Sequence, residues 1–288
     1  QGASRVVWWL GLMEEGGYVE VVEYLFGSLV KSLTRDGMVV YKLQLGQEKR
    51  VETLQNGVGK GLLGGTKWAT KWAVLGELEW ETMKRDGWKG KLGLMNRMRG
   101  EEVGGMVKGV GRCRRKDVKE GDRSGFYGEL YTILEVLEWE EEFWEDEMRE
   151  KEEWKQEVKG KLDKWERKEW EKWRKEQTGE ENNFYGGTKK VWGREAYVYW
   201  KDKRRISVLA CFRMGCVLLR GNKTGTGTGE FGVECRLCGE GRETEFHLIM
   251  ECGCGEVEKA RKGLVERVDG VEGNKGWRKE WGVGWGGG

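Results

Sequence analysis

The chain has 288 residues, with 52 Lys and Arg against 50 Asp and Glu, a single His and no Pro. Charged residues make up 35% of it and hydrophobic residues 38%, which argues against a compact enzyme with a dense core and favours long helices with solvated faces. No apolar run reaches the roughly 18 residues of a transmembrane helix, so we expect no membrane insertion.

The first part of the chain, residues 1–130, is predicted to be a helical region. Apolar residues recur at helical spacing from Glu52 onward and predict a helix that ends at Gly64-Gly65. A second helix is predicted from Lys67 to Leu78, with one apolar face. The strong enrichment in glycine makes single glycines weak structural signals. Each glycine in a helix interior costs roughly 1 kcal/mol, so we expect low stability where three fall together, at Gly57, Gly59 and Gly61.

Residues 131–180 are predicted to contain one long, charged, Trp-rich helix from Leu134 to Lys175. Its apolar residues fall within one broad arc at 100° per residue. Ten acids and three bases between Glu140 and Glu157 give a net charge of −7, whereas eight bases and five acids between Val158 and Glu176 give +3. A solvated face with internal ion pairs is the expected interpretation, and an acidic interaction surface is the alternative. Gly160 is the expected point of a kink or division.

Residues 181–232 are predicted to form a linker around Asn182 to Gly187, followed by a basic helix. Ten bases and two acids between Thr188 and Lys223 give a net charge of +8, and aromatic residues are interleaved with them. Cations neutralise phosphates and aromatic rings stack on unpaired bases, so we expect contact with RNA or DNA. The alternative is a basic, partly buried helix pair. The candidate phosphate-binding residues are Lys189, Lys190, Arg194, Lys201, Lys203, Arg204, Arg205, Arg213 and Arg220.

Residues 233–260 are predicted to form a small zinc knuckle, and residues 261–288 a tail that is disordered at its end. Cys235, Cys238, His247 and Cys252 have the spacing C-x2-C-x8-H-x4-C, and His247 is the single histidine. Four such ligands would close the tetrahedral shell of Zn²⁺ and leave no position for a substrate water, so the zinc is expected to be structural. Cys254 is the alternative fourth ligand. Seven cysteines without a secretory leader favour a reducing, intracellular compartment.

The motifs resemble the C-terminal region of LINE-type (non-LTR) retrotransposon reverse transcriptases. The segments Val51–Asn56, Leu62–Gly64 and Gly76–Trp80 are similar to the region just after the polymerase core of that family. Arg205–Gly215 and the Cys235–Cys252 cluster are similar to its final helix and CCHC zinc knuckle. One departure is Glu79, which stands where the family usually has glycine.

The resemblance implies a part of a polyprotein that copies RNA into DNA, in which this region binds template RNA or target DNA beside an upstream polymerase domain. No catalytic residues are expected in this chain, because its eight aspartates include no adjacent pair of the kind that a polymerase centre needs. The expected fold is mainly α, with a long charged helix and a C-terminal zinc knuckle. The alternatives are a protein-interaction module braced by zinc, or a non-functional product of a decayed element.

Overall fold

The computed structural model describes residues 19–41, 45–65, 69–178, 185–186, 189–200, 202–216, 234–245, 247–260 and 262. These residues are mainly helical, as predicted, and the ranges just given contain an isolated bridge between Glu234 and Arg242 but no β-strand. No helix within these ranges is long and apolar enough to cross a membrane. The helices are α1 (Val19–Leu25), α2 (Ser32–Val40), α3 (Leu45–Leu63), α4 (Lys71–Leu78), α5 (Met83–Met98), α6 (Gly105–Lys119), α7 (Gly125–Val136), α8 (Lys151–Thr178) and α9 (Lys203–Arg213).

Helix α3 ends where the sequence predicts. Gly64 has φ of +62°, a left-handed conformation that favours glycine. A Cβ added at Gly64 would lie 2.1 Å from Oγ of Ser207, so the position needs glycine for its packing as well as for its backbone. The following helix, α4, begins at Lys71 because the Thr70 side chain accepts a hydrogen bond from the Ala73 amide. The first residues of the predicted Lys67–Leu78 helix, 67–68, lie outside the described residues.

The buried apolar side chains form two clusters, and two helices contribute to both. The first cluster gathers residues of α1, α3, α4 and α9, together with Tyr185, Tyr197 and Val198. The second gathers residues of α6, α7 and the short 3-10 turn Glu140–Trp144. Helix α5 and helix α8 extend through both, since Met83 and Trp170 belong to the first cluster and Leu92 and Leu162 to the second. The two cores are therefore joined by continuous helices.

The prediction of one helix from Leu134 to Lys175 is wrong. Helix α7 ends at Val136, and Glu138 has φ of 55°, which reverses the chain direction before Trp139. Helix α8 starts at Lys151, where the Glu150 carboxylate accepts hydrogen bonds from the amides of Glu152 and Glu153. The break falls within the most acidic stretch, where repulsion between like charges disfavours a helix. Helix α8 itself runs through Gly160 without division.

The solvated-face interpretation fails at two of its acids. Glu142 and Glu166 are buried, and each forms an ion pair with a buried arginine: Glu166 with Arg85 of α5, and Glu142 with Arg99 just after α5. Glu166 Oε2 lies 2.8 Å from Arg85 Nη1, and Glu142 contacts Arg99. These pairs tie α8 and the 3-10 turn to α5, so part of the charge in this region is structural.

Of the predicted linker around residues 182–187, the structure describes residues 185 and 186. Tyr185 is 1% exposed and packs in the first cluster, where its ring lies 5.7 Å from that of Trp173. Gly76 of α4 makes room for it, because a Cβ at Gly76 would lie 2.5 Å from the Tyr185 Oη. The expectation that single glycines carry little structural information is therefore wrong at Gly76.

Candidate metal centre and the basic residues

A tight turn presents the first cysteine pair. The Cys235 amide donates to the Gly241 carbonyl at 3.0 Å, and the Gly239 amide donates to the Cys235 carbonyl at 2.8 Å. Gly239 and Gly241 have φ of +73° and +65°, so both use the left-handed conformation that glycine adopts without strain. A Cβ at Gly241 would also come within 3.1 Å of the His247 ring. The glycines therefore shape the turn and admit the imidazole.

A wide helical turn presents the second pair of side chains. The Thr244 hydroxyl accepts a hydrogen bond from the His247 amide at 3.1 Å and starts the turn. The turn His247–Glu251 is π-helical, and the Cys252 amide donates to the His247 carbonyl at 2.7 Å. This i→i+5 geometry brings His247 and Cys252 to the same side of the chain, facing Cys235 and Cys238.

The four side chains converge at the distances of a tetrahedral site. One ligand atom from each of Cys235, Cys238, His247 and Cys252 lies within 4.8 Å of the others. The sulfurs of Cys235 and Cys252 are 3.9 Å apart, and Cys238 Sγ is 3.3 Å from His247 Nε2. With metal–sulfur and metal–nitrogen bonds of about 2.3 and 2.0 Å, the edges of a tetrahedron would be roughly 3.8 and 3.6 Å. The group could therefore hold a metal ion.

Disulfide bonding does not account for this cluster. No disulfide joins any two of the seven cysteines, all of which lie in the described part of the chain, and 3.9 Å between two sulfurs far exceeds a disulfide bond of about 2.05 Å. The structure also distinguishes the two candidates for the fourth ligand, because Cys252 belongs to the converging group and Cys254 does not. Cys252 is fully buried, whereas Cys254 is partly exposed.

The surroundings act in opposite directions on two of the clustered thiols. Burial raises the pKa of the Cys235 thiol, but hydrogen bonds from the Cys238 and Leu237 amides outweigh this effect and lower it overall. Burial and the neighbouring thiols raise the pKa of Cys252. Glu251 Oε2 lies 3.5 Å from His247 Nδ1, so a carboxylate stands behind the imidazole on the side away from Cys238, as in many metal sites.

An ion pair between Arg236 and Glu243 stabilises the turn that carries Cys235 and Cys238. The Arg236 guanidinium is held by the buried Glu243 carboxylate, with Nε 2.9 Å from Oε2, and the Arg236 amide donates to the same carboxylate at 2.9 Å. Sequence spacing predicted the four residues that converge but not this support, because only the folded turn brings Arg236 and Glu243 together.

Three of the nine candidate phosphate-binding residues are buried or partly buried in internal ion pairs. A fourth, Arg205, pairs at the surface with Asp202, with Nε 3.1 Å from Oδ2. Arg213 Nε lies 3.2 Å from Oε2 of the buried Glu77, and Arg213 Nη2 lies 3.0 Å from Glu195 Oε1. Lys189 is 3% exposed and pairs with the same Glu195 carboxylate at 2.5 Å. Burial opposes the charged form of Arg213, but Glu77 and Glu195 outweigh this effect and raise its pKa. The guanidinium therefore stays charged inside the fold.

The third engaged residue, Arg194, joins distant parts of the chain. Its Nη1 lies 2.9 Å from Glu23 Oε2, and its Nε donates to the Leu78 carbonyl at 2.9 Å. Glu23 also accepts a hydrogen bond from Trp80 Nε1 at 2.6 Å. For these three residues the structure agrees with the alternative of a basic, partly buried segment.

The other candidates lie differently. Lys190, Arg204 and Arg205 are exposed, and Lys203 is half-buried. Lys203, Arg204 and Arg205 form the first turn of α9, where Asp202 accepts hydrogen bonds from the amides of Arg204 and Arg205. Lys201 and Arg220 lie outside the described residues.

Comparisons with known protein families, with curated proteins and with solved structures found no match for this chain.

Proposed function

We propose that Cys235, Cys238, His247 and Cys252 bind one structural Zn²⁺. The observation that supports this is the convergence of three thiols and one imidazole at tetrahedral distances. Thiolate and imidazole are the ligands that zinc prefers in closed structural sites. When bound, the ion would join the turn at Cys235 to the π-helical turn at His247, two short elements that have few contacts of their own.

We further propose that the chain is a non-catalytic, nucleic-acid-binding C-terminal part of a LINE-type reverse transcriptase, acting with an upstream polymerase domain. The order of its motifs supports this, and so does Glu79, whose φ of 56° is a conformation that favours the glycine usual there in the family. Arg204 and Arg205 at the start of α9 are exposed to solvent, where phosphates could reach them, and Arg205 also lies 3.1 Å from Asp202. Template RNA and target DNA are the proposed ligands.

The zinc proposal is tested by metal analysis of the purified full chain. We expect one zinc per chain, and we expect Cys238→Ser to lose most of it because one of four ligands is removed. Cys113→Ser is the matched control, since Cys113 is an exposed thiol on α6. Equal zinc content in Cys238→Ser and Cys113→Ser would overturn the ligand assignment.

The nucleic-acid proposal is tested by fluorescence anisotropy of labelled RNA and DNA oligonucleotides against salt concentration. For the pair Arg204→Gln and Arg205→Gln we expect the slope of log K against log salt to become shallower by about 1.4 to 1.8, or 0.7 to 0.9 per contact. The control is Lys159→Gln with Lys164→Gln, two exposed lysines of α8. An affinity that does not change with salt would contradict the proposal.

A further inference from the structure

Helix α6 is a peripheral helix with a narrow buried face. Gly111 and Val118 are its buried residues, and the helix packs mainly on α7. A Cβ at Gly111 would lie 2.6 Å from Oη of Tyr127 in α7, so glycine permits the close approach of the two helices. Most of the remaining surface of α6 is exposed.

The exposed surface of α6 is strongly cationic. Between Gly105 and Lys119 the helix carries six bases and one acid, Asp117, so its net charge is +5. At 100° per residue, five of the bases fall within an arc of about 100°. These residues form the α6 cationic face, which consists of Lys108, Arg112, Arg115, Lys116 and Lys119.

Intramolecular carboxylates neutralise this face only in part. Arg115 contacts Asp146. Lys116 lies 3.9 Å from Glu120, and the side chains of Lys116 and Glu120 are both largely exposed. Among the described residues, Arg112 and Lys119 form no ion pair, and both side chains are exposed. Exposed pairs contribute little to stability, so folding alone gives no account of this concentration of positive charge.

We propose that the α6 cationic face is the main phosphate-binding surface of the chain for nucleic acid. The inference rests on the proposed nucleic-acid function and assigns it to a helix outside the 189–220 segment. From Lys108 to Lys119 the face is roughly 16 Å long, which matches several consecutive phosphates of a strand that rises about 3.4 Å per nucleotide. A helix of about 10–12 Å diameter also fits the major groove of B-DNA, which is about 12 Å wide.

Charge complementarity selects a nucleic acid over an apolar partner for this face. The exposed apolar residues of α6 are Met106, Val107 and Val110, and they lie about 120°, 140° and 160° around the helix from Arg112. A protein partner that bound α6 through apolar contact would therefore cover a different side. Binding through the cationic face requires a dense array of negative charge, which the phosphate backbone provides.

The test is a triple variant of the full chain, Arg112→Gln, Lys116→Gln and Lys119→Gln, titrated with duplex DNA, single-stranded RNA and double-stranded RNA. Its control is Lys159→Gln, Lys164→Gln and Lys172→Gln, which removes the same charge from exposed positions of α8. For duplex DNA we expect the α6 variant to lose roughly 100-fold in affinity at 0.15 M salt, and the salt slope to become shallower by about 2.7. The control should change both values far less.

Each outcome supports or overturns a separate statement. If the unaltered chain binds none of the three probes, the proposed nucleic-acid function fails. If it binds and both triple variants weaken equally, the assignment to α6 fails while the proposed function stands. Equal affinity for polyglutamate and for the oligonucleotides would overturn nucleic acid as the ligand of this face. Far-UV circular dichroism of both variants establishes that they remain folded.

Discussion

The buried pair of Glu77 and Arg213 gives the most direct test of the fold. Glu77 is fully buried and holds Arg213 at 3.2 Å, and Tyr197 Oη donates to the same carboxylate. Removing one member of a buried ion pair costs about 3–5 kcal/mol, because the other charge is left without its partner. In Glu77→Gln, Arg213 still has Glu195 at 3.0 Å and is 16% exposed to solvent. We therefore expect this variant to lose about 3 kcal/mol of free energy of unfolding, the low end of that range.

Arg213→Met leaves the Glu77 carboxylate buried with Tyr197 alone, so we expect it to cost more than Glu77→Gln. In the double variant neither charge is left buried without its partner. Its loss in free energy of unfolding should therefore be at least 1 kcal/mol smaller than the sum of the losses in the two single variants. Urea unfolding followed by circular dichroism at 222 nm measures all four free energies of unfolding. If the losses in free energy of unfolding of the two single variants add up to the loss in the double variant, the pairing of Glu77 with Arg213 is refuted.

The same variants separate a structural role of Arg213 from contact with nucleic acid. If Arg213 serves only the fold, folded Arg213→Met binds oligonucleotides with the salt slope of the unaltered chain. If the slope of log K against log salt is shallower by about one in Arg213→Met, and its free energy of unfolding is unchanged, Arg213 contacts phosphate.

Three further changes test other parts of the structure. Gly57→Ala should raise the free energy of unfolding by about 1 kcal/mol, because a Cβ there meets nothing within 4 Å. Gly59→Ala should give no gain in stability, because its Cβ would lie 2.5 Å from Val74 Cγ1. Thermal melts compare the two variants, and equal gains in stability would contradict the packing at Gly59. Asp202→Ala removes the N-cap of α9 and should cost about 1 kcal/mol in urea unfolding, so an unchanged midpoint would argue against the cap. Lowering the pH from 7 to 5 should release the metal bound to the unaltered chain to a colorimetric indicator, because protons compete for the thiolates and the imidazole. Full retention of that metal at pH 5 would count against the site.

The end of α3 and the four candidate ligands were predictable because each depends on residues close in sequence. Gly64 is a local stop signal, and the spacing from Cys235 to Cys252 is a local constraint. The roles of Lys189, Arg194 and Arg213 were not predictable in this way. The carboxylate that pairs with Arg213 is 136 positions away, and charge counted along the sequence cannot show which distant acid neutralises a base.

The break before α8 was missed for a related reason. Apolar residues on both sides of it keep the same helical period, so periodicity alone predicts continuity. In the folded chain Trp139, just after the end of α7, stacks on Trp154 of α8 with ring centroids 5.1 Å apart. That contact forms only in the folded chain, and no local pattern in the sequence predicts it.

The pairing of Glu23 with Arg194 has a consequence for how the chain folds during synthesis. The two residues are 171 positions apart, and the first core cluster draws its members from Val19 to Cys216. The ribosome delivers α1 long before the residues that cover it, so this core cannot close until most of the chain has emerged. Val22 and Phe26, both buried in the folded chain, belong to this core, which is completed only when the residues up to Cys216 have emerged.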